Sequence, residues 1–318
     1  MTYPMTYPMP YPMTYSLIIH GGAGKGSKSF FNKIKKKDPA FRNLEDQYKS
    51  ALHNITKIGE DMLKDGNKAL DVVEVCCSYL EDNELFNAGV GASKDIEGNI
   101  THEATIVDGK TLNFGSVCDC NIITNPIKFA KLLLPHSLTL CGNKNIRKQL
   151  NNKHLNNKQS SPKTNIKQTT MKHFNSVFRD KLSKLTQELD TCGVVAMDRY
   201  GNIASGSSTG GLTNRPVGRI GDTHINGIST IADNNLCGIC VSGCGEEIIK
   251  HHVASNVFYQ MKYGNVSLKS AINKVLKECN NCGIVGIDKS GSIYHNKNTE
   301  RMYIGKCSNK TDISVEIW

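Results

Sequence analysis

Apolar positions along the chain fall into short runs and spaced stripes, divided by glycine or polar turns. Leu17-Ile18-Ile19-His20 reads as a short buried strand that runs directly into the turn Gly21-Gly22-Ala23-Gly24. Over residues 43–64 apolar side chains recur at Leu44, Tyr48, Ala51, Leu52, Ile55, Ile58, Met62 and Leu63, which is helical spacing, and Gly66 suits the position after the helix end. A second helix is predicted over 68–80; it is apolar nearly all round, as a buried helix is. Residues 103–115 read as a hairpin turning at Asp108-Gly109, and Asn125-Pro126 opens a short helix reaching 134. Beyond Thr191 the pattern predicts strands at 193–198, 203–207 and 236–241, helices at 246–261 and 268–277, and strands at 284–287 and 292–295. Helices and strands mix without regular βαβ alternation, so the fold class is α+β.

Composition adjusts this picture at the ends and in the middle. The first sixteen residues repeat Met-Thr-Tyr-Pro with variations, and a proline at nearly every fourth place forbids helix and sheet ladders. With neither a basic nor an apolar signal region, residues 1–16 read as a disordered tail ahead of one domain, 17–318. The net charge of +10 is almost wholly local: residues 141–189 hold eleven Lys/Arg against two Asp/Glu. That stretch, also rich in Asn and Ser, reads as a mobile basic linker over 141–188, with nucleic-acid binding or nuclear import as the other reading. No apolar run approaches 18 residues, which excludes a membrane span on this reading. Twelve cysteines without a secretory signal suit a reducing, cytoplasmic compartment.

Two nucleotide and metal patterns are considered and set aside. The glycine loop ending in Lys25 lacks the Walker spacing, because Ile19 and Gly26 occupy the positions that would need Gly and Ser/Thr. Cys237/Cys240 and Cys279/Cys282 together could form a zinc site, but the pairs lie far apart, and residues three apart on a strand point to opposite faces.

Candidate chemistry gathers around Leu189-Asp190-Thr191-Cys192-Gly193-Val194-Val195, where the polar segment meets a compact apolar strand. A threonine hydroxyl needs a base, and a threonine that becomes an N-terminus carries one in its own amine, with a reference pKa of roughly 7.7–8.0. Downstream come Ser207-Ser208-Thr209-Gly210-Gly211 and Gly218-Arg219-Ile220-Gly221-Asp222-Thr223. An arginine fork suits a carboxylate and a carboxylate suits an ammonium, so Arg219 and Asp222 could hold the two charged groups of an amino acid; a surface ion pair is the other reading. With these blocks in place, the chain resembles the plant-type L-asparaginase and isoaspartyl-peptidase family of N-terminal-nucleophile hydrolases, from about Ser16 to Gly305 with the basic segment left out.

The resemblance implies a four-layer αββα sandwich. It also implies self-cleavage between Asp190 and Thr191 into an α-subunit, 17–190, and a β-subunit, 191–318, joined in an (αβ)₂ dimer. Thr191 would be nucleophile and base, Thr209 would hydrogen-bond it, and Asn87 would orient the site. The Ser242 hydroxyl and Gly243 N–H would form the oxyanion hole, with Arg219, Asp222 and the Gly245 carbonyl on the substrate. Main-chain oxygens of Leu80, Glu81, Asn83, Phe86, Ala88 and Val90 would hold a structural sodium ion; no cofactor is implied for catalysis. The implied activity is hydrolysis of the L-asparagine side-chain amide and of β-aspartyl peptides through an acyl-threonine. Departures from the family pattern are Glu103 in place of Asp, Cys192 beside the nucleophile, Ser242 and Cys244 in place of Thr, and Arg301 in place of Gly. The segment Ser242-Gly243-Cys244-Gly245-Glu246 is similar to threonine aspartase, so an endopeptidase stays open, as does a catalytically silent scaffold. Asp222 favours the first reading, since a carboxylate buried against an uncharged peptide nitrogen would be costly.

Overall fold

A computed structural model of the chain describes residues 14–150 and 190–318. Of the tail expected over 1–16, residues 1–13 lie outside the described residues, as does the linker from 151 to 188; residues 15 and 16 are not tail, since Tyr15 is buried in the core and Ser16 opens the first strand. Strand β1 (Ser16–Gly24) runs down the middle of a large sheet, buried at every position. The other strands of that sheet are β2 (His102–Asp108), β3 (Phe114–Cys120), β4 (Leu138–Cys141), β5 (Cys192–Met197), β6 (Ile203–Thr209), β11 (Arg301–Ser308) and β12 (Thr311–Glu316). Their order across the sheet is β12-β11-β1-β5-β6-β2-β3-β4, antiparallel throughout except for the β3–β4 pair. A second sheet orders β7 (Thr230–Asp233), β8 (Cys237–Gly243), β9 (Cys282–Asp288) and β10 (Ile293–Lys297) as β10-β9-β8-β7.

Three apolar layers bind these sheets into the expected sandwich. Between the sheets, Ile18, Val195, Met197 and Ile304 meet Cys240, Val285 and Ile287. On the outer face of the large sheet lie α1 (Lys28–Lys37), α2 (Leu44–Lys64), α3 (Ala69–Glu81) and α4 (Pro126–Leu133). Leu52, Val72, Cys76 and Phe129 of these helices pack on Leu17, Ile106 and Val194. The outer face of the small sheet is covered by α6 (Gly245–His251), α7 (Val253–Gly264) and α8 (Leu268–Glu278), with α5 (Asn143–Leu150) lying beside β4. Val257 and Ile272 there meet Ile239 and Ile284. Each fully buried aliphatic side chain contributes roughly 1.5–3 kcal/mol, so both helix layers are strongly held. Among the described residues no helix is long and apolar enough to cross a membrane.

Several elements differ from the sequence expectation for local reasons. The helix expected over 246–261 is two helices, because His252 sits in the left-handed region at φ 49°. The first-turn amides of α7 are taken by another segment: Ala254 N–H and Ser255 N–H donate to the carbonyls of Ile228 and Gly227. Residues 141–150, expected to be linker, are instead structured: β4 ends at Cys141, α5 occupies 143–150, and Ile146 is fully buried in the core. Helix α1 escaped periodicity because only Phe31 and Ile34 of its ten residues are buried; Ser27 caps it by accepting from Phe30 N–H. Cys237 faces the helix-side core while Cys240 faces the inter-sheet core, so this pair cannot serve one metal ion together.

Candidate active site

Thr191 stands at the entrance of β5, where the chain enters the centre of the large sheet. Strand β1 pairs alongside, and His20 is opposite Gly193 in the register. A side chain at 193 would overlap the His20 ring, so glycine here lets the buried imidazole lie flat under the strand. His20 is fully buried, and burial lowers its pKa to about 3, which keeps it neutral and structural.

The Asp190–Thr191 peptide bond is buried, with donors and acceptors on both sides. Thr191 N–H donates to Ser242 Oγ at 3.0 Å, and Ala23 N–H donates to the same oxygen at 2.9 Å. The Asp190 carbonyl accepts from Asn87 Nδ2 at 2.9 Å and from Thr209 Oγ1 at 3.3 Å. Asn87 is locked in that orientation, because its Oδ1 accepts Ser93 N–H at 2.8 Å and its Nδ2 also donates to the Gly211 carbonyl at 2.8 Å. Thr209 accepts in turn from Gly211 N–H at 3.0 Å. Thr209 thus bonds the carbonyl of the residue before Thr191. The hydroxyl facing Thr191 Oγ1 is that of Thr223, at 3.4 Å. Sequence reasoning gave Thr223 no role, although it closes the Arg219–Thr223 block.

Asp190 has a partner of its own. Arg301, at the start of β11, donates from Nη2 to Oδ2 at 2.7 Å and from Nη1 to Oδ1 at 3.3 Å, and both side chains are buried. The departure at 301 therefore has a structural counterpart at 190.

Beyond Thr223 the site opens onto charged groups. Burial, with the Glu103 carboxylate nearby, pushes the Asp222 carboxyl up to about 6, and its Oδ2 is buried with no hydrogen-bond partner among the described residues. A Cβ built on Gly245 would lie 2.8 Å from both Asp222 Oδ1 and Arg219 Nη2, so the two groups converge above that glycine. Arg219 does not pair with Asp222; its Nε and Nη2 each donate to the Glu246 carboxylate at 2.9 Å. Glu103 accepts Gly221 N–H at 2.6 Å and meets His224 Nδ1 at 3.0 Å. The longer acid in place of Asp so anchors the Arg219–His224 loop from β2. Gly243 has φ +142°, and a side chain there would overlap the Asn281 carbonyl, which explains the glycine between Ser242 and Cys244.

The loop of residues 80–91 carries Asn87 to this place. Glu81 is fully buried, accepting from Ser208 Oγ at 2.7 Å and Ile127 N–H at 3.0 Å, and burial pushes its carboxyl up to about 8. Side chains at Gly89 and Gly91 would overlap the Glu81 and Phe86 carbonyls respectively, so the loop folds its main-chain oxygens closely on itself. Tyr48 Oη donates to the Leu85 carbonyl at 2.8 Å, tying the loop to α2.

The chain is similar to known proteins along most of its length. A family model described as asparaginase matches residues 13–317. The chain is 30% identical to an isoaspartyl peptidase of Escherichia coli, over 90% of this chain and 91% of that one. It is 32% identical to an isoaspartyl peptidase/L-asparaginase of Xenopus laevis, over 78% and 76%, and 31% identical to one from Mus musculus, over 80% and 75%. Since the family match takes in both halves of the site, from the Asn87 loop to the strand that starts after Asp190 and on to β11, the chain belongs to the asparaginase family.

Proposed function

We infer that the chain cuts itself between Asp190 and Thr191 and then hydrolyses the side-chain amide of L-asparagine and the β-aspartyl bond of isoaspartyl peptides. The observation that carries this reading is the set of groups converging on one peptide bond: two donors on the Asp190 carbonyl and Ser242 against the Thr191 nitrogen. In self-cleavage Thr191 Oγ1 attacks the Asp190 carbonyl carbon while Asn87 Nδ2 and Thr209 Oγ1 stabilise the oxyanion. The hydroxyl proton goes to the Thr191 nitrogen as the C–N bond breaks, leaving an ester. Water hydrolyses it, giving an Asp190 carboxylate and a free Thr191 amine.

In the turnover that follows, the Thr191 amine takes the proton of Oγ1, which attacks the substrate's side-chain carbonyl. The Ser242 hydroxyl and the Gly243 N–H would receive the oxyanion. Ammonia, or the amine of the following residue, leaves with the proton, and water releases aspartate from the acyl-threonine. Arg219 would take the substrate α-carboxylate, exchanging with Glu246, while Asp222 and the Gly245 carbonyl take the α-ammonium. The unpartnered Asp222 Oδ2 supports a cationic substrate group over the internal peptide nitrogen that an endopeptidase would meet. Incubation of the cut protein with a β-aspartyl dipeptide and, separately, with a protein containing internal Asp tests this. Ammonia-free release of the second amino acid from the dipeptide, with the protein left intact, is the expected result; cleavage of the protein alone would contradict it.

The same reading includes the (αβ)₂ dimer of two-subunit protomers, 17–190 and 191–318, a cytoplasmic location, and a sodium ion in the 80–91 loop. The close fold around Gly89 and Gly91 supports an all-oxygen cradle of Leu80, Glu81, Asn83, Phe86, Ala88 and Val90 carbonyls. Bound sodium would stiffen the loop that presents Asn87. Replacing sodium by choline at equal ionic strength should lower Tm by about 2–4 °C, the effect of roughly 1 kcal/mol of linked binding. Equal Tm in both salts would remove the ion from the account.

A further inference from the structure

We propose that Arg301 is a positioning residue for self-cleavage: by clamping the Asp190 side chain it fixes the scissile carbonyl between Asn87 and Thr209. This rests on the reading of Asp190–Thr191 as the bond that is cut, and it assigns a role to a residue that neither the family resemblance nor the hydrolytic step uses.

The geometry is that of a built clamp. The guanidinium grips both carboxylate oxygens of Asp190, at 2.7 and 3.3 Å, across 111 residues of sequence. Its Cζ lies 4.9 Å from the Tyr303 ring centroid and 5.9 Å from that of Phe31, so aromatic faces hold the cation on its far side. Tyr303 in turn stacks on Tyr48 at 4.0 Å, which ties the clamp to the helix that also holds the Asn87 loop. On the near side two glycines of β1 make room. A side chain at Gly22 would overlap Asp190, and one at Gly24 would meet Arg301 Nη1 at 2.8 Å and Asp190 Oδ1 at 2.9 Å.

The consequence for chemistry follows from where the clamp acts. Asp190 supplies the carbonyl that must stay on its two donors while Thr191 Oγ1 approaches, and misplacement by about 1 Å can cost on the order of 10²-fold in rate. With both side-chain oxygens engaged by Arg301, Asp190 cannot rotate its carboxylate toward the Thr191 hydroxyl without breaking a buried ion pair. The clamp thus orients the bond and leaves proton transfer to other groups. Removing either partner strands a buried charge, which drives the residue out of place; removing both charges together does not.

The experiment follows cleavage of freshly synthesised full-length chain by mass spectrometry, comparing wild type with Arg301→Gln, Asp190→Asn, the double variant and Arg301→Lys. Each single neutral variant should be at least about tenfold slower, the double variant should return to within about threefold of wild type, and Arg301→Lys should fall between. Thermal melts of the same uncut variants separate the two roles: slow cleavage in a single variant that is still fully folded at the assay temperature is positioning, whereas slowing only in variants that have begun to unfold is a general loss of stability. Should Arg301→Gln fail to fold, Arg301→Lys carries the comparison. Wild-type rates in Arg301→Lys and Arg301→Gln, or losses that simply multiply in the double variant, would overturn the inference while leaving the cleavage site standing. A wild-type chain that never cuts at 190–191 would overturn the underlying reading and this one with it.

Discussion

Thr191→Ala should leave the chain whole at 35.0 kDa and without hydrolytic activity, however long it is incubated. The expectation has two parts because one hydroxyl serves twice. In the uncut chain it is the only group of residue 191 able to attack Asp190, and in the cut enzyme it is the atom that would carry the acyl group. Loss of a covalent nucleophile costs on the order of 10⁴–10⁶-fold in turnover. The fold should survive, since the Thr191 hydroxyl contacts Thr223 Oγ1 only at 3.4 Å and its backbone bond to Ser242 is untouched. Removing so weak a contact costs less than about 1 kcal/mol. Thr191→Ser keeps an attacking hydroxyl and should cut. Cleavage of the alanine variant at the same bond would require another nucleophile and would contradict the mechanism.

Asp222→Asn should do the reverse: self-cleavage continues, while kcat/KM for L-asparagine and for β-aspartyl dipeptides falls by about 10²–10³-fold, the cost of removing one partner of a buried charge pair. Asp222 makes no contact with the Asp190–Thr191 bond, and its unpartnered oxygen points to a role only once substrate arrives. Its pH signature follows from sign. Burial and the Glu103 carboxylate raise the Asp222 carboxyl to about 6, and the ionised form is the one that pairs with an ammonium. In the wild type kcat/KM should therefore fall as pH drops through about 6, in addition to the loss caused by protonating the Thr191 amine. In Asp222→Asn only the amine limb remains. A variant with wild-type kcat/KM and an unchanged acid limb would remove Asp222 from substrate binding.

Much of this was legible in local sequence. Helix α2 announced itself through Leu44, Tyr48, Leu52, Ile55 and Leu63, all buried on one stripe, and the apolar run after Thr191 became a fully buried central strand. Chemistry nominated the glycine-flanked Arg219–Asp222 block and resemblance gave the Asn87 loop its role; the structure puts Asn87 and Thr209 on the Asp190 carbonyl, while Thr223, next to Asp222, faces Thr191 Oγ1. What escaped was non-local or masked by polarity. The Arg301–Asp190 pair joins residues far apart in sequence, so no window contains it. The break at His252 is imposed by the Gly227–Ile228 carbonyls of a neighbouring loop, which helical periodicity cannot register. Helix α5 hides in a basic stretch, where Ile146 is buried in the core and Asn143 bonds Asn121 with no apolar stripe to announce either.

The central claim is that this chain makes its own catalyst by cutting before Thr191. Intact mass of the purified protein, with N-terminal sequencing of any fragment, tests it most directly. A fragment that begins Thr191-Cys192-Gly193 and ends at Trp318, beside the complementary piece ending at Asp190, is the result the account predicts. A single 35.0 kDa chain that stays uncut for days and hydrolyses no β-aspartyl dipeptide would contradict it.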